Sequence, residues 1–226
     1  MHWSLTQQVA TLQIGAWQWL FDLAQPRSGV QVGPRAGGPA AQLLQVVPSP
    51  QHACQIEDSF ARGSDLMVRY GQSESDSFAF QLDFRAVPRD ALGPFECGLD
   101  LWLSVQTQLL DSHPTLEVRS EVAGARWSAT DSDGRPAASD ALAALSCRAS
   151  SVAVAIFIHP SDRCQAELLS ATEATSSRVR LFGNFMEKGV IRRGRVRCLL
   201  GHADIDQRAL SAAYASFAAS PLPLTT

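Results

Sequence analysis

The chain is poor in lysine and contains no closely spaced pair of cysteines. Lys188 is the only lysine among 19 lysine and arginine residues, and alanine is abundant, a bias typical of a GC-rich, bacterial genome. The five cysteines are odd in number and widely spaced, without a CxxC pair, which argues against a zinc ribbon or a framework of disulfide bonds. We expect each cysteine to be a small buried thiol in a reducing cytoplasm.

Sequence motifs of several protein classes are also missing. There is no GxGxxG, no GxxxxGK(S/T) and no GxSxG, so nucleotide binding and the α/β-hydrolase fold have no support. The five histidines are isolated from one another. Residues 131–134 (DSDG) resemble the start of a calcium loop, but Leu142 stands at the twelfth position, where a glutamate is needed. We therefore predict no metal site and no cofactor.

Long apolar runs and a strongly basic composition are absent too. No apolar run approaches the about 20 residues that a membrane-spanning helix needs. The N-terminal segment MHWSLTQQVATL lacks the basic start and apolar centre of a signal peptide. A net charge of −3 and a pI near 5.9 argue against a general nucleic-acid-binding protein. We expect a cytoplasmic protein with neither a membrane nor a nucleic acid as its partner.

What the chain does contain is hydrophobic alternation with a period of two. In segment 78–85 (FAFQLDFR), four large apolar residues alternate with Ala79, Gln81, Asp83 and Arg85, which predicts a half-buried strand. Segment 152–158 (VAVAIFI) is apolar on both faces and predicts a central strand covered on both sides. Further strands are expected at 17–23, 42–47, 54–61, 66–70, 99–110, 115–122, 163–170, 179–187 and 190–200, with a long Gly/Pro-rich loop at 26–39.

One segment has the pattern of an amphipathic helix, at about 204–218. Asp204 and Gln207 have the spacing of a capping box. An apolar stripe follows at i, i+3, i+4 and i+7, made of Leu210, Ala213, Tyr214 and Phe217. We predict a single all-β domain over residues 1–226, a two-sheet antiparallel β-sandwich with one C-terminal α-helix. The alternative is a closed antiparallel β-barrel with an internal ligand pocket.

Residues 99–122 predict a hairpin whose register follows from its faces. A slip of one residue would mix apolar side chains with charged ones, so the connecting loop must have an even number of residues, most simply 111–114. The polar face of this hairpin then carries Trp102, Gln106, Gln108, Glu117, Arg119 and Glu121. An aromatic platform beside amides and carboxylates is the chemistry that holds sugars. The alternative is a solvated face with a ladder of ion pairs.

The segment 178–200 gathers positive charge, with seven cations against Glu187 for a net charge of +6. A second hairpin that turns at Lys188-Gly189 keeps one face apolar. Its other face, the predicted arginine face, carries Arg180, Phe182, Asn184, Arg193, Arg195 and Arg197, with Arg180 opposite Arg197. Because like charges opposed across strands are destabilising, this face needs a counter-charge. A bound anion, acidic residues of a neighbouring strand, or a second subunit would supply it.

Three runs resemble a conserved bacterial family without an assigned activity: 56–85 (IEDSFARGSDLMVRYGQSESDSFAFQLDFR), 185–200 (FMEKGVIRRGRVRCLL) and the closing ASPLPLT. The succession of long antiparallel strands is also similar to the galactose-mutarotase-like supersandwich, whose members handle sugars and, in one branch, sugar phosphates. That similarity is architectural and implies a two-sheet sandwich. It places no catalytic residue on this chain, because the acid–base His and Glu of that fold family cannot be carried onto any residue here.

These patterns favour a binding protein over an enzyme. The predicted ligand is a carbohydrate or an anionic small molecule, held by the Trp102 face or by the arginine face. A sugar-modifying enzyme of mutarotase type is one alternative. A structural protein that forms a homo-oligomer through its arginine face is the other. Clustered His and carboxylates in a deep pocket would favour the enzyme, and a two-fold contact that buries the arginines would favour the oligomer.

Overall fold

Two antiparallel sheets of eight strands lie face to face in the structure, a computed structural model that describes residues 2–35, 37, 40–137, 142–149, 152–169 and 175–220. Sheet A runs in spatial order through β1 (Trp3–Thr6), β2 (Val9–Ile14), β3 (Trp17–Asp22), β4 (Val30–Pro34), β5 (Ala41–Ser49), β10 (Thr115–Val122), β15 (Ser176–Phe182) and β14 (Ala166–Leu168). Sheet B runs through β11 (Arg126–Thr130), β12 (Ala144–Arg148), β13 (Val152–Ile158), β16 (Ile191–His202), β9 (Cys97–Gln106), β8 (Ala79–Ala86), β7 (Asp65–Tyr70) and β6 (Ile56–Arg62). The predicted sandwich is confirmed, and across the described ranges neither sheet closes into the alternative barrel.

Alternation along the strands produces the core between the sheets. In β8, Phe80, Leu82 and Phe84 are buried between the sheets, whereas Gln81 and Asp83 are only partly buried and point outward. Phe84 packs against a ring from β3, with the centroids of Phe84 and Phe21 4.8 Å apart. Burying each large apolar side chain contributes about 1.5–3 kcal/mol, so this core is the main source of stability.

A second core lies on the outer side of sheet B, beneath helix α1 (Gln207–Ala218). Ala153, Ala155 and Phe157 of β13 face this core, while the alternate residues of β13 face the core between the sheets. All seven residues of β13 are buried, which confirms the prediction of a strand covered on both sides. No helix of the described residues is both long and apolar enough to span a membrane.

Helix α1 begins later than the sequence predicts. The N-cap is Asp206, whose carboxylate accepts a hydrogen bond from the backbone N–H of Ala209 at 2.7 Å, so the prediction of Asp204 as the cap is wrong. The predicted apolar stripe is confirmed, because all four of its residues are buried against sheet B.

Both predicted hairpins are wrong, because each of the two segments crosses from one sheet to the other. Strand β9 pairs with β8 and β16 in sheet B, whereas β10 pairs with β5 and β15 in sheet A. The hairpin predicted to turn at Lys188-Gly189 therefore does not form, and β15 and β16 do not pair with each other. Arg180 lies opposite Glu117 and Arg197 lies opposite Asp100, so the two arginines do not face each other. Alternation defines the face of each side chain, but it does not define which strand is the neighbour.

Several strands and one 3₁₀ turn are not predicted by the sequence patterns. Strands β1, β2, β4, β11 and β12 were not expected, and β4 lies inside the Gly/Pro-rich segment that predicts only a loop. The strand expected at 163–170 is instead the 3₁₀ turn Pro160–Gln165 followed by the short β14. Residue 170 of that segment, and residues 138–141 near the DSDG turn, lie outside the described residues.

Candidate functional site

The outer side of sheet B is only partly covered. Helix α1 lies over β13, and the 3₁₀ turn Pro160–Gln165 lies beside β16. The remainder, formed by β7, β8, β9 and the first residues of β16, presents polar side chains outward. We name this surface the open face. It consists of Arg69, Gln81, Asp83, Arg85, Trp102, Ser104, Gln106 and Arg193.

Trp102 stands at the centre of the open face between two arginines. The strand registers place Asp83, Trp102 and Arg195 in one row across three strands. The guanidinium carbon of Arg195 lies 4.9 Å from the centroid of the Trp102 ring, and that of Arg85 lies 5.8 Å from it. Each cation–π contact contributes on the order of 0.5–2 kcal/mol, so both help to hold the indole in place.

Arg195 is anchored from the side of the 3₁₀ turn. Only 3% of this residue is exposed. Its backbone N–H donates to Asp162 Oδ2 at 2.8 Å, its Nε lies 3.9 Å from the same oxygen, and its Nη2 donates to Ser161 Oγ at 3.4 Å. Burial lowers the pKa of Arg195, against the attraction of Asp162. Arg195 is thus held in place at the border of the open face. Arg85 is exposed instead, and its Nε lies 3.9 Å from Asp65 Oδ2.

Asp83 is the carboxylate of the open face. The side-chain amide of Gln81 donates to both of its oxygens, at 2.9 and 3.0 Å. Burial raises the pKa of Asp83, although the hydrogen bonds from Gln81 and the charges of Arg85 and Arg193 act in the opposite direction. Asp83 therefore binds a proton more readily than an ordinary aspartate, a property common among groups that act in binding or catalysis.

A small cavity opens beside Asp83. Its volume is 110 Å³, and its lining is formed by Arg69, Ala79, Phe80, Gln81, Asp83, Ser104, Val105, Gln106, Ile191 and Arg193. Arg193 lies directly opposite Ser104 and is exposed, and its side chain has no hydrogen bond or salt bridge to any residue in the described ranges. Its guanidinium group is thus available to a ligand in this cavity.

The predicted site residues separate onto the two sheets. Trp102, Gln106, Arg193 and Arg195 come together on or beside the open face, although they were assigned to two different hairpins. Arg197 lies on the same side of sheet B but is covered. It donates to both oxygens of Asp100, at 2.6 and 2.8 Å, and its guanidinium carbon lies 4.7 Å from the ring centroid of Phe217.

The other predicted charges form ion pairs on the outer side of sheet A. Glu117 Oε1 accepts from Arg119 Nε at 2.5 Å and from Arg178 Nε at 2.7 Å. Arg180 pairs with Glu167 across the β14–β15 contact at 2.7 Å. Although burial acts in the opposite direction, the hydrogen bonds from Arg178 and Arg119 lower the pKa of Glu117. The counter-charge that the sequence requires is therefore supplied here by the protein's own acids.

Four predicted residues lie away from both of these groups. Phe182 is buried, and its ring covers Gly194, where an added Cβ would lie 3.5 Å from the ring. Asn184 and Gln108 are exposed in loops outside the strands. Glu121 lines a separate cleft of 710 Å³ at one end of sheet A. The arginine face predicted around Phe182 and Asn184 does not exist.

Sequence reasoning missed the contribution of β8 to the open face. Gln81, Asp83 and Arg85 are the polar residues of the clearest alternating strand in the chain, so their outward direction was predicted. Their position beside Trp102 depends on the pairing of β8 with β9.

Across the described residues, no group of three or more His, Cys, Asp or Glu side chains could hold a metal ion, and the absence of a metal stays a prediction.

Neither a protein-family model nor a curated protein sequence matches this chain. Solved structures are similar to it in fold. The α-N-acetylgalactosaminidase NagBb from Bifidobacterium bifidum superposes with a TM-score of 0.58 and 11% identity over 92% of this chain. A candidate aldose 1-epimerase from Klebsiella pneumoniae has a TM-score of 0.52 and 8% identity over 93% of this chain. A candidate kojibiose phosphorylase from the human microbiome has a TM-score of 0.50 and 7% identity over 94% of this chain.

The extent of these matches differs from protein to protein. This chain spans 83% of the epimerase chain, but only 38% of the galactosaminidase and 30% of the phosphorylase. At such low identities the likeness shows the fold alone. It agrees with the similarity to the galactose-mutarotase-like supersandwich that the strand pattern indicates.

Proposed function

We propose that this protein binds a carbohydrate that carries an anionic group, and that the open face of sheet B is the binding site. The observation that carries the proposal is the position of Trp102. Its ring stands between Arg85 and Arg195, in the same row as Asp83. The next row on this face holds Arg193, whose side chain forms no salt bridge within the described residues. Carboxylate, amide and guanidinium groups line the small cavity on the same face, as they do in sites that orient a polar ligand.

The side chains around the cavity suit the hydroxyl groups of a sugar. Asp83 accepts hydrogen bonds, Ser104 both donates and accepts, and Gln106 does both through its amide. A ring of hydroxyls that are at once donors and acceptors matches such a mixed set. The volume of 110 Å³ is well below the range of about 300–1,000 Å³ typical of sites for drug-sized ligands, so the expected occupant is a single sugar ring.

Arg193 supports an anionic group on that sugar. A guanidinium group binds a carboxylate or a phosphate through two parallel hydrogen bonds. On sheet A, the arginines of β10 and β15 already donate hydrogen bonds to Glu117 and Glu167. Arg193 does not, since no carboxylate among the described residues lies within salt-bridge distance of it. An anionic ligand would supply the missing partner.

The experiment is calorimetric titration with three probes: glucose, glucuronic acid and glucose 6-phosphate. We expect the two anionic probes to bind more tightly than glucose. Trp102→Ala should abolish binding, and Arg193→Gln should weaken the anionic probes by about tenfold or more while leaving glucose unchanged. Arg180→Gln is the matched control, because Arg180 is a salt-bridged arginine on the other sheet. Equal losses in Arg193→Gln and Arg180→Gln would overturn the proposal.

Asp83 favours a second candidate function, a sugar-modifying enzyme of mutarotase type. A half-buried carboxylate with a raised pKa beside a sugar site is suited to proton transfer. NMR exchange spectroscopy of the anomeric protons would detect catalysed interconversion. If the protein is an enzyme, Asp83→Asn should retain binding and lose the exchange. If exchange is never faster than in buffer, the protein is a binding protein alone.

We also propose the cytoplasm as the compartment and a bacterium as the source, in line with the sequence. The thiols support the first proposal, because Cys54, Cys97, Cys147 and Cys198 are free in the described part of the chain. Burial raises the pKa of Cys97 and of Cys147 to about 12. Thiols held protonated in this way are inert packing groups. Disulfide bonds in the purified protein would contradict this compartment.

A further inference from the structure

Apolar side chains are exposed together at one end of the sandwich. Seven large hydrophobic residues are exposed in the described part of the chain. Four of them belong to the two loops that cross between the sheets, and a fifth directly follows the second loop as the first residue of β16. We name these five the apical patch. They are Leu109, Leu110, Phe185, Val190 and Ile191. Leu110 is 81% exposed and Ile191 52%. Clustered exposed apolar groups mark interaction sites more often than single ones do.

The two loops that carry the apical patch are joined and anchored. Ser112 and Met186 exchange two backbone hydrogen bonds, at 2.8 and 3.2 Å, and the N–H of Gly189 donates to the carbonyl of Thr107 at 2.9 Å. Met186 itself is buried in the core between the sheets. The patch is therefore held in one shape before any partner arrives, which reduces the entropy lost on association.

Charges of both signs stand around the apical patch. Asp111 and Glu187 carry negative charge, Lys188 and Arg192 carry positive charge, and Arg193 lies beside Ile191 at the edge towards the open face. Glu187 and Lys188 are adjacent and exposed, and neither side chain has a hydrogen bond or salt bridge to a residue of the described ranges. An anionic membrane or a strongly charged protein would be repelled by the residues of like charge around the patch and attracted by those of opposite charge. Electrostatics would therefore contribute little to its binding here.

A surface with neighbouring charges of opposite sign is complementary to itself. In a two-fold dimer the same patch meets its own copy in the reverse direction. Glu187 of one copy then faces Lys188 of the other, and the reverse contact forms on the other side of the axis. We propose that the apical patch is the interface of a symmetric homodimer, with a second copy of this chain as its occupant. Ile191 also lines the cavity beside Asp83, so the interface adjoins the open face, but the proposal does not depend on carbohydrate binding there.

The test is sedimentation velocity of the wild-type chain from low micromolar to several hundred micromolar concentration. We expect a concentration-dependent monomer–dimer equilibrium. Leu110→Asp should abolish the dimer, because it introduces a charge at the most exposed apolar position. Phe60→Asp is the matched control, since Phe60 is 48% exposed but lies on the edge strand β6, away from the patch. Dimers that persist in Leu110→Asp, or that Phe60→Asp equally abolishes, would overturn the proposal.

Exchange of the two charges tests the two-fold arrangement itself. Glu187→Lys alone and Lys188→Glu alone each oppose like charges and should raise the dimer Kd by about tenfold. The double exchange E187K/K188E recreates both ion pairs with the signs reversed, so it should restore the wild-type Kd. A double variant that is as weak as the single variants would overturn the symmetric interface. A wild-type chain that stays monomeric at every concentration would overturn the dimer altogether.

Discussion

Arg197 and Asp100 form a buried, doubly hydrogen-bonded salt bridge directly across the β9–β16 pair. The Nε–Oδ1 and Nη2–Oδ2 distances are 2.6 and 2.8 Å. The ring of Phe217, from helix α1, lies over the guanidinium group. The pair therefore joins the helix to the outer side of sheet B and excludes Arg197 from the open face.

Removing one partner of this pair should destabilise the fold strongly. Asp100→Ala leaves the guanidinium charge of Arg197 buried without compensation, so we expect the free energy of unfolding to fall by about 3–5 kcal/mol. Urea denaturation measures it. Glu167→Ala is the control, because it breaks a pair with Arg180 in which both side chains are about half exposed, and we expect a loss below about 1 kcal/mol. Similar losses in the two variants would contradict the role of burial.

The N-cap of helix α1 gives a prediction that separates two nearby acids. Asp206→Ala should lower the free energy of unfolding by about 1 kcal/mol, because the N–H of Ala209 loses its acceptor. Asp204→Ala should have little effect, since Asp204 is exposed and lies before the helix. Thermal unfolding of the two variants measures the difference. A larger loss from Asp204→Ala would show that the helix begins where the sequence pattern predicts.

Two glycines with nearly the same backbone conformation should respond differently to alanine. Gly29 and Gly15 have φ of 62° and 58°. At Gly29 an added Cβ would lie 2.5 Å from the carbonyl oxygen of Leu43 and 2.7 Å from the backbone N of Gln45, whereas at Gly15 nothing lies within 4 Å. We expect Gly15→Ala to cost about 1 kcal/mol from the positive φ alone and Gly29→Ala to cost at least about 2 kcal/mol. Equal costs in chemical denaturation would be inconsistent with the close approach of β5.

Two buried histidines should make the protein less stable in mild acid. Burial lowers the pKa of His52 and of His159 below 6.5, and the charge of Arg195 adds to the effect at His159. Below about pH 6.5 the unfolded chain therefore binds protons that the folded chain does not, so the free energy of unfolding falls as the pH decreases until the lowered pKa values are passed.

The check is the slope of the unfolding free energy between pH 7 and about pH 5. His52→Asn and His159→Gln should each reduce this slope, whatever they do to stability at neutral pH. His113→Gln is the control, since the His113 side chain is 60% exposed in a loop. A slope that is unchanged in both buried-histidine variants would show that other groups cause the acid sensitivity.

Much of the fold follows from local patterns. The alternation in β8 and β9 places Asp83 and Trp102 on an outward face, and the two-sided apolar pattern of β13 predicts its central position. Strand β4 is different, because its Gly33 and Pro34 have low strand propensity and only pairing with β3 and β5 makes it a strand. Tertiary pairing overrides the local signal there.

The sequence by itself determined which side chains of each strand face the core and which face outward, because alternation is a property of consecutive residues. Only the tertiary structure decided which outward residues meet. The alternation in the segments β9–β10 and β15–β16 fits equally well whether each pair of strands forms a hairpin or crosses from one sheet to the other. The crossings prevail and bring Trp102 beside Arg195 in sheet B and Glu117 beside Arg180 in sheet A. Arg195 thus meets an aromatic ring and Arg180 meets a carboxylate, which removes the repulsion between Arg180 and Arg197 that the hairpin would have created. Arg119 and Arg178 do lie opposite each other, and Glu117 supplies the counter-charge to both.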